Sequence, residues 1–323
     1  MTAVTDGKAA PGPPGGSAEQ SRPPKIVPVR HPGRWAAVSI ALVLVAQLVH
    51  ALATNPGLEW ATFGQYFFDP SVLHGVWLTI QLTFYAGLAG FAGGIALAFM
   101  RLSPNPLLRV TAYAYVWVVR SVPLLVQVLF WFNISYLYSR LSIGVPFGPE
   151  FFSFSTTHLV SSTSAAVIAL SVNEAAFASE IVRAGLLSVS QGQLEAAAAL
   201  GIPGRRQLLR IVLPQAMRTI APNAANQLIS LFKNTSIVSV MAIMELFYTV
   251  QVIYGRTSRV VPMLLVATAW YILLTTLLTI FQYYVERRFA KGTTRALPPT
   301  PVERVRLVIR DLRAAAKDEG TPR

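Results

Sequence analysis

The sequence predicts an all-α integral membrane protein with six transmembrane helices, on three observations. Apolar residues make up 53% of the 323 and charged residues only 13%, with a mean hydropathy of +0.50. That is more apolar material than a soluble domain of this length needs for its core, so the bilayer is the solvent. The apolar residues gather into six stretches, each able to supply the roughly 20 helical residues that a hydrocarbon core of about 30 Å requires. The basic residues, which bring the formal net charge to +13, stand at the ends of those stretches.

Residues 1–34 are rich in Pro, Gly and Ser, carry Lys8, Arg22, Lys25, Arg30 and Arg34, and lack apolar periodicity, which is the composition of a disordered basic cytoplasmic tail. Ala36 to Ala53 is the first span. Its end, Ala51-Leu52-Ala53, imitates a signal-peptidase site, but the apolar run and the region before it are both too long for a cleaved signal, so we read an anchor. With the external loop that follows, this extra helix makes up residues 35–72. The second span, Val76 to Met100, holds Gly90 and Gly94, a small-xxx-small pair suited to close helix approach. The third stretch, Leu107 to Tyr138, would be roughly 48 Å long as one helix. It must tilt, break or lie partly in the interface, and Pro123 is the expected break. A Phe-rich loop to about Ser161 belongs to the outer surface. Spans four, five and six run over Ser162 to Arg183, Pro222 to Leu246 and Pro262 to Val285.

Counting basic residues orients these spans. The N-terminal tail has five, the 101–109 loop two, the 183–218 loop five and the C-terminal tail of residues 291–323 with its approach ten, against Arg140, Arg256 and Arg259 outside. Positive-inside then puts both termini in the cytoplasm of a multi-pass inner-membrane protein. Val302, Val305, Val308, Ile309 and Leu312 recur at helical spacing among arginines over 301–317, which fits either a basic amphipathic surface helix or a solvated tail.

Residues 195–214, EAAAALGIPGRRQLLRIVLP, form the polar segment between spans four and five. Glu195 to Leu200 is an alanine-rich helix former, and Gly201 with Ile202, Pro203 and Gly204 forces a turn. From Arg205 onward Leu208, Leu209, Val212, Leu213 and Ala216 share one side, and Arg206, Gln207, Arg210 and Arg218 the other. Pro214 is expected to bend the second helix. Periodicity alone leaves this helix-turn-helix open between a docking element and an ordinary amphipathic interfacial loop.

Glu195, Ala196, Ala197, then Gly201, then Ile211, Leu213 and Pro214 resemble the EAA signature of ABC-importer permeases. Phe177, Glu180, Arg183, Gly185, Gly192 and Gln193 before it, and Lys233-Asn234-Thr235-Ser236 after it, resemble the polar amino acid branch of that family. The resemblance covers residues 73–290 and implies a type I permease bundle there, working by alternating access. It implies that a cytoplasmic ATPase docks on the loop, a role carried over to Glu195, Ala196, Ala197, Gly201, Ile202, Pro203 and Arg205. It further implies an extracytoplasmic solute-binding protein and a dimer, either with itself or with a paralogous permease. Arg120-Ser121-Val122-Pro123-Leu124-Leu125-Val126-Gln127 resembles the family's Arg-Gly-Thr-Pro-Leu-Leu-Val-Gln, with Ser121 and Val122 departing from it; Phe177 stands where Tyr is usual.

Several functions are excluded or disfavoured. No G-x-x-x-x-G-K-[ST] occurs, so P-loop nucleotide binding, and with it ATP and magnesium, belongs to another subunit. Zero cysteines and four scattered histidines offer no metal cluster, and no catalytic constellation is visible. The basic residues follow span ends, where lipid is the partner, and not one face with interleaved aromatics, as nucleic acid would need.

Arg120, Glu174 and Lys233 lie within the apolar stretches, where a charge costs about 2.5 to 3.5 kcal/mol on insertion scales. They either line a polar path or pair internally, Glu174 with Arg120 or Lys233. Asn226, Ser230 and Lys233 at i, i+4, i+7, extended by Asn223, give span five a polar stripe suited to a path or to interhelical hydrogen bonds. The resemblance adds Asn173 and Glu174 as substrate-side contacts. Three readings therefore stand at this point: an importer permease for polar amino acids, one for another zwitterion such as an opine, or a non-transporting assembly or sensor subunit.

Overall fold

The computed structural model describes residues 32–137, 140–145, 148–155 and 161–289, with 303, 306, 307, 309 and 310 further on, all five helical. The predicted tail over 1–34 falls almost wholly outside the described residues, as does most of 291–323, including the amphipathic pattern over 301–317. Two compact units divide at Asn55. The first contains α1 (Pro32–Thr54), one unbroken helix with the hydropathy and length of a span over Ala36–Thr54.

The second unit begins with a short 3₁₀ turn, Pro56–Leu58, and α2 (Trp60–Phe67), followed by the long α3 (Pro70–Leu102). The start of α3 is dictated locally: Pro70 occupies the first turn, and the Asp69 carboxylate accepts from the Ser71 N–H at 2.8 Å. Asn105 caps α4 (Pro106–Ser121) in the same way, accepting from Leu107 N–H at 2.9 Å. Pro123 ends α4, as expected, and α5 (Leu124–Phe132) leaves at 102°. The carbonyls released by that break are taken by the buried Gln127 side chain, whose Nε2 donates to Val119 O and Val122 O, both at 2.7 Å. One glutamine thus holds the corner.

After α6 (Ile134–Leu137) the chain forms an antiparallel ribbon, β1 (Arg140–Gly144) against β2 (Glu150–Ser155). The sequence reading had only a loop here. Its register pairs Leu141 with Phe154 and Ile143 with Phe152, an alternation that marks a strand pair.

Next come α7 (Ser162–Leu187) and α8 (Gln191–Ala199). They are followed by α9 (Gly204–Gln207), a π turn over Leu208–Val212, and α10 (Leu213–Asn234). The π turn directly precedes Pro214, which has no N–H for the regular ladder. At its far end α10 tightens into a 3₁₀ segment, Thr235–Met241. Thr235 Oγ1 donates to Phe232 O at 2.6 Å and Ser236 Oγ to Lys233 O at 2.8 Å, so the Lys-Asn-Thr-Ser run satisfies the carbonyls at that switch. Ala242 takes a left-handed φ of 55°, and α11 (Leu246–Thr257) continues at 46° before α12 (Val260–Phe289).

Among the described residues four helices are long and apolar enough to cross a membrane, and up to six spans result if each bent pair counts as one. That agrees with the predicted number. The core lies where α3, α7 and α10 meet, around Leu82, Ala86, Ala169, Leu170 and Leu231. Gly90 and Gly94 let α3 close on α7: a Cβ on Gly90 would stand 2.5 Å from Glu174 Cβ, and one on Gly94 2.5 Å from Ala178 Cβ.

Candidate coupling loop and polar path

The 191–207 segment is a knob built by one turn. α8 ends in a Schellman motif: Ile202 N–H donates to Ala197 O at 3.1 Å, and Gly201 N–H to Ala198 O at 2.9 Å. The Ile202 bond needs Gly201 in the left-handed region, and Gly201 has φ +68°. Pro203 cannot extend α8; its carbonyl accepts from Arg206 and Gln207 N–H at 2.8 and 3.0 Å and starts α9. Gln207 Nε2 reaches back to Leu194 O at 3.1 Å, and Gln215 Nε2 to Gln193 Oε1 at 2.9 Å, tying the two arms together.

The knob has two sides. Ala197 is buried, and Val189 and Val212 pack with Ala98, Val182, Ala216 and Ile220, so the inner side rests on the ends of α3, α7 and α10. Glu195, Ala196, Leu200, Gly201, Pro203, Arg205 and Arg206 are exposed, and Ile202 is half-buried. Of the seven loop residues singled out in the sequence, Ala197 therefore points into the bundle. It holds the knob in place and offers nothing outward.

Above the knob the charges sort differently from the pairs the sequence offered. Glu174 is buried on α7, and its Oε2 accepts from Gln227 Nε2 at 3.1 Å; among the described residues neither Arg120 nor Lys233 pairs with it. Arg120 reaches Glu180 at 3.5 Å because α4 packs against α7. Tyr115, Val116 and Val119 meet Val172 and Ala176 there, and Tyr115 OH donates to Val172 O at 2.8 Å. Glu180 also receives Arg101 at 2.8 Å and Arg183 at 3.0 Å. Glu180 and Arg183, three residues apart on α7, thus pair within a larger hub. Arg101, which the sequence reading counted as a loop charge, is buried and lies 4.3 Å from the centre of the Tyr113 ring.

Asn173 is buried one position before Glu174. Asn226 and Lys233 lie on the exposed side of α10, and the half-buried Ser230 donates to Asn226 O at 3.3 Å. The stripe exists, directed away from its own bundle.

Glu245, which sequence reasoning passed over, is fully buried and caps α11, accepting from Phe247 N–H at 2.9 Å and Tyr248 N–H at 2.7 Å, with Tyr271 OH at 3.4 Å. A lone carboxylate in an apolar run was the available signal. Gln227 carried none. At the start of α12, Arg259 binds Glu59 at 3.2 Å and also donates to Thr62, fastening α12 to α2.

Residues 90–291 match the family described as binding-protein-dependent transport system inner membrane component. The chain belongs to that family. This transport component is 39% identical over 292 residues to the arginine transport system permease protein ArgU of Corynebacterium glutamicum, covering 88% of this chain and 89% of that one. It is 35% identical over 210 residues to the nopaline transport system permease protein NocM of Agrobacterium fabrum, covering 64% and 82%. A crystal structure of an amino acid ABC transporter with histidines superposes with a TM-score of 0.60 at 29% identity, covering 70% of this chain and 97% of that one. The chain is a multi-pass transport subunit, and a non-transporting role is set aside.

Proposed function

We propose that this chain is the permease subunit of an ATP-driven importer of polar amino acids, cycling by alternating access. The observation that carries the reading is the capped knob at 191–207, rigid within itself, seated on the ends of the spanning helices and exposed on its other side. Closure of a docked ATPase can move the membrane equilibrium only through contacts that differ between the two states, and a rigid knob converts such contacts into helix displacement. Glu195, Ala196, Gly201, Ile202, Pro203 and Arg205 form the docking side in this reading. ATP and magnesium bind the partner ATPase, and an external solute-binding protein delivers the cargo. A two-fold pair of permeases, identical or paralogous, completes the machine, with the outward stripe Asn226, Ser230 and Lys233 on the face next to the second permease. Asn173 and Glu174 supply substrate-side contacts from α7. Arg101, Arg120, Arg183 and the loop arginines stand toward the cytoplasm with both termini, and Arg256 and Arg259 toward the outside.

Amino acid cargo is favoured by the 39% identity to the arginine permease along nearly the whole chain. The likeness to the nopaline permease supports an opine as the second reading. The deciding experiment purifies the complex from its own membrane in mild detergent, identifies the co-purifying subunits, and measures uptake into proteoliposomes against a panel of amino acids and opines. A stoichiometric P-loop ATPase, lost on altering Glu195 or Gly201, with uptake competed by amino acids, is the expected result. Absence of an ATPase would overturn the importer reading, and competition by opines alone would overturn the cargo. Unchanged selectivity and rate in Glu174→Gln would remove Glu174 from the path.

A further inference from the structure

Three guanidinium groups converge on one carboxylate at the loop end of the bundle. Arg101 from α3, Arg120 from α4 and Arg183 from α7 all lie within 3.5 Å of Glu180, and among the described residues no other carboxylate pairs with them. Three positive charges against one negative leave the cluster at +2. Arg101 is sealed in, with a buried Nε that has no hydrogen-bond partner among the described residues. The other two are reachable, with side-chain exposures of 46% for Arg120 and 28% for Arg183.

The surroundings identify what supplies the missing negative charge. Tyr113, Trp117 and Arg120 recur at i, i+4 and i+7 along α4, so they share one face. Trp117 on that face is 72% exposed and Tyr113 46% exposed, and exposed Trp and Tyr mark the headgroup level of a bilayer. Arg101 is in the last turn of α3, and Arg183 is one turn from the end of α7. A surplus of guanidinium between helices at headgroup depth, beside an aromatic face, matches a phosphate group in chemistry and in position.

We propose that Arg120 and Arg183, backed by Arg101, form a binding site for the phosphate of an anionic phospholipid headgroup. The headgroup neutralises the surplus of the Glu180 hub, so occupancy braces the corner at Pro123 against α7 beside the coupling knob. This site does not depend on which solute is carried.

The test is native mass spectrometry of the assembled transporter in detergent, titrated with phosphatidylglycerol, with phosphatidylcholine, and with inorganic phosphate alone. Wild type should retain phosphatidylglycerol in preference to phosphatidylcholine. Arg120→Gln, which alters a half-exposed side chain and so spares the fold, should weaken that retention about five-fold, and Arg120→Gln with Arg183→Gln about thirty-fold. Arg120→Lys with Arg183→Lys should keep most of it, since charge is preserved. Equal retention of the two lipids, or full retention by the double Gln variant, would overturn the site. Complete displacement of the lipid by millimolar inorganic phosphate would overturn its assignment to lipid.

Discussion

Gly201 allows the coupling turn to be tested without touching any packing contact. A Cβ placed there meets no atom of this chain within 4 Å, so the effect of a substitution on the turn itself comes from φ +68°. Left-handed backbone costs an L residue about 1 to 2 kcal/mol, and Asn tolerates it better than Ala. Gly201→Ala should therefore open the Ile202 to Ala197 and Gly201 to Ala198 hydrogen bonds about 5 to 30 times more often, Gly201→Asn distinctly less, and β-branched Gly201→Val more. Amide exchange at positions 201 and 202 reads the opening directly. The stimulation of ATP hydrolysis by loaded binding protein, relative to basal hydrolysis in the reconstituted complex, reads its consequence, and both should rank Gly, Asn, Ala, Val. If Ala matched Gly in exchange, the strain argument would be refuted. If exchange followed the ranking while stimulation did not, the turn would be real and its coupling role wrong.

The close approach of α3 to α7 predicts that Gly94→Ala, whose Cβ would meet Ala178 Cβ at 2.5 Å and Ser179 N at 2.9 Å, lowers stability by about 1 to 3 kcal/mol. Gly93→Ala, facing Ala175 Cβ at 3.2 Å, should cost far less, and thermal unfolding of the purified protein compares the two. Removing the cap with Glu245→Ala strands the Phe247 and Tyr248 N–H groups and should lower stability by about 0.5 to 2 kcal/mol; an unchanged melting temperature would deny the cap its role. Arg101→Ala removes the buried arm of the hub while Glu180 keeps Arg120 and Arg183, so it should cost about 1.5 to 3 kcal/mol, partly recovered in Arg101→Lys, which keeps the charge. A Lys variant no better than the Ala variant would show that Arg101 acts through its planar guanidinium on Tyr113 instead.

Whatever depends on the chain locally could be read from the residues alone. Span number follows from apolar length against bilayer thickness, the corner at Pro123 from a missing N–H and a restricted preceding residue, and the knob from Gly201 and Pro203 closing one helix and opening the next. The ribbon between α6 and α7 was legible too, in the alternation of Leu141, Ile143, Phe152 and Phe154. Partnerships across helices were decided only by the tertiary structure. Sequence spacing shows that Arg120, Glu174 and Lys233 each need a reason to be where they are, yet not which carboxylate an arginine meets. The answer depended on how α4 packs against α7, which carries Arg120 to Glu180 and leaves Glu174 to Gln227. The same holds for Arg101, Ala197 and Glu245, whose burial is set by residues far along the chain. A charge or a small side chain carries no local signature of the neighbour that long-range packing will give it.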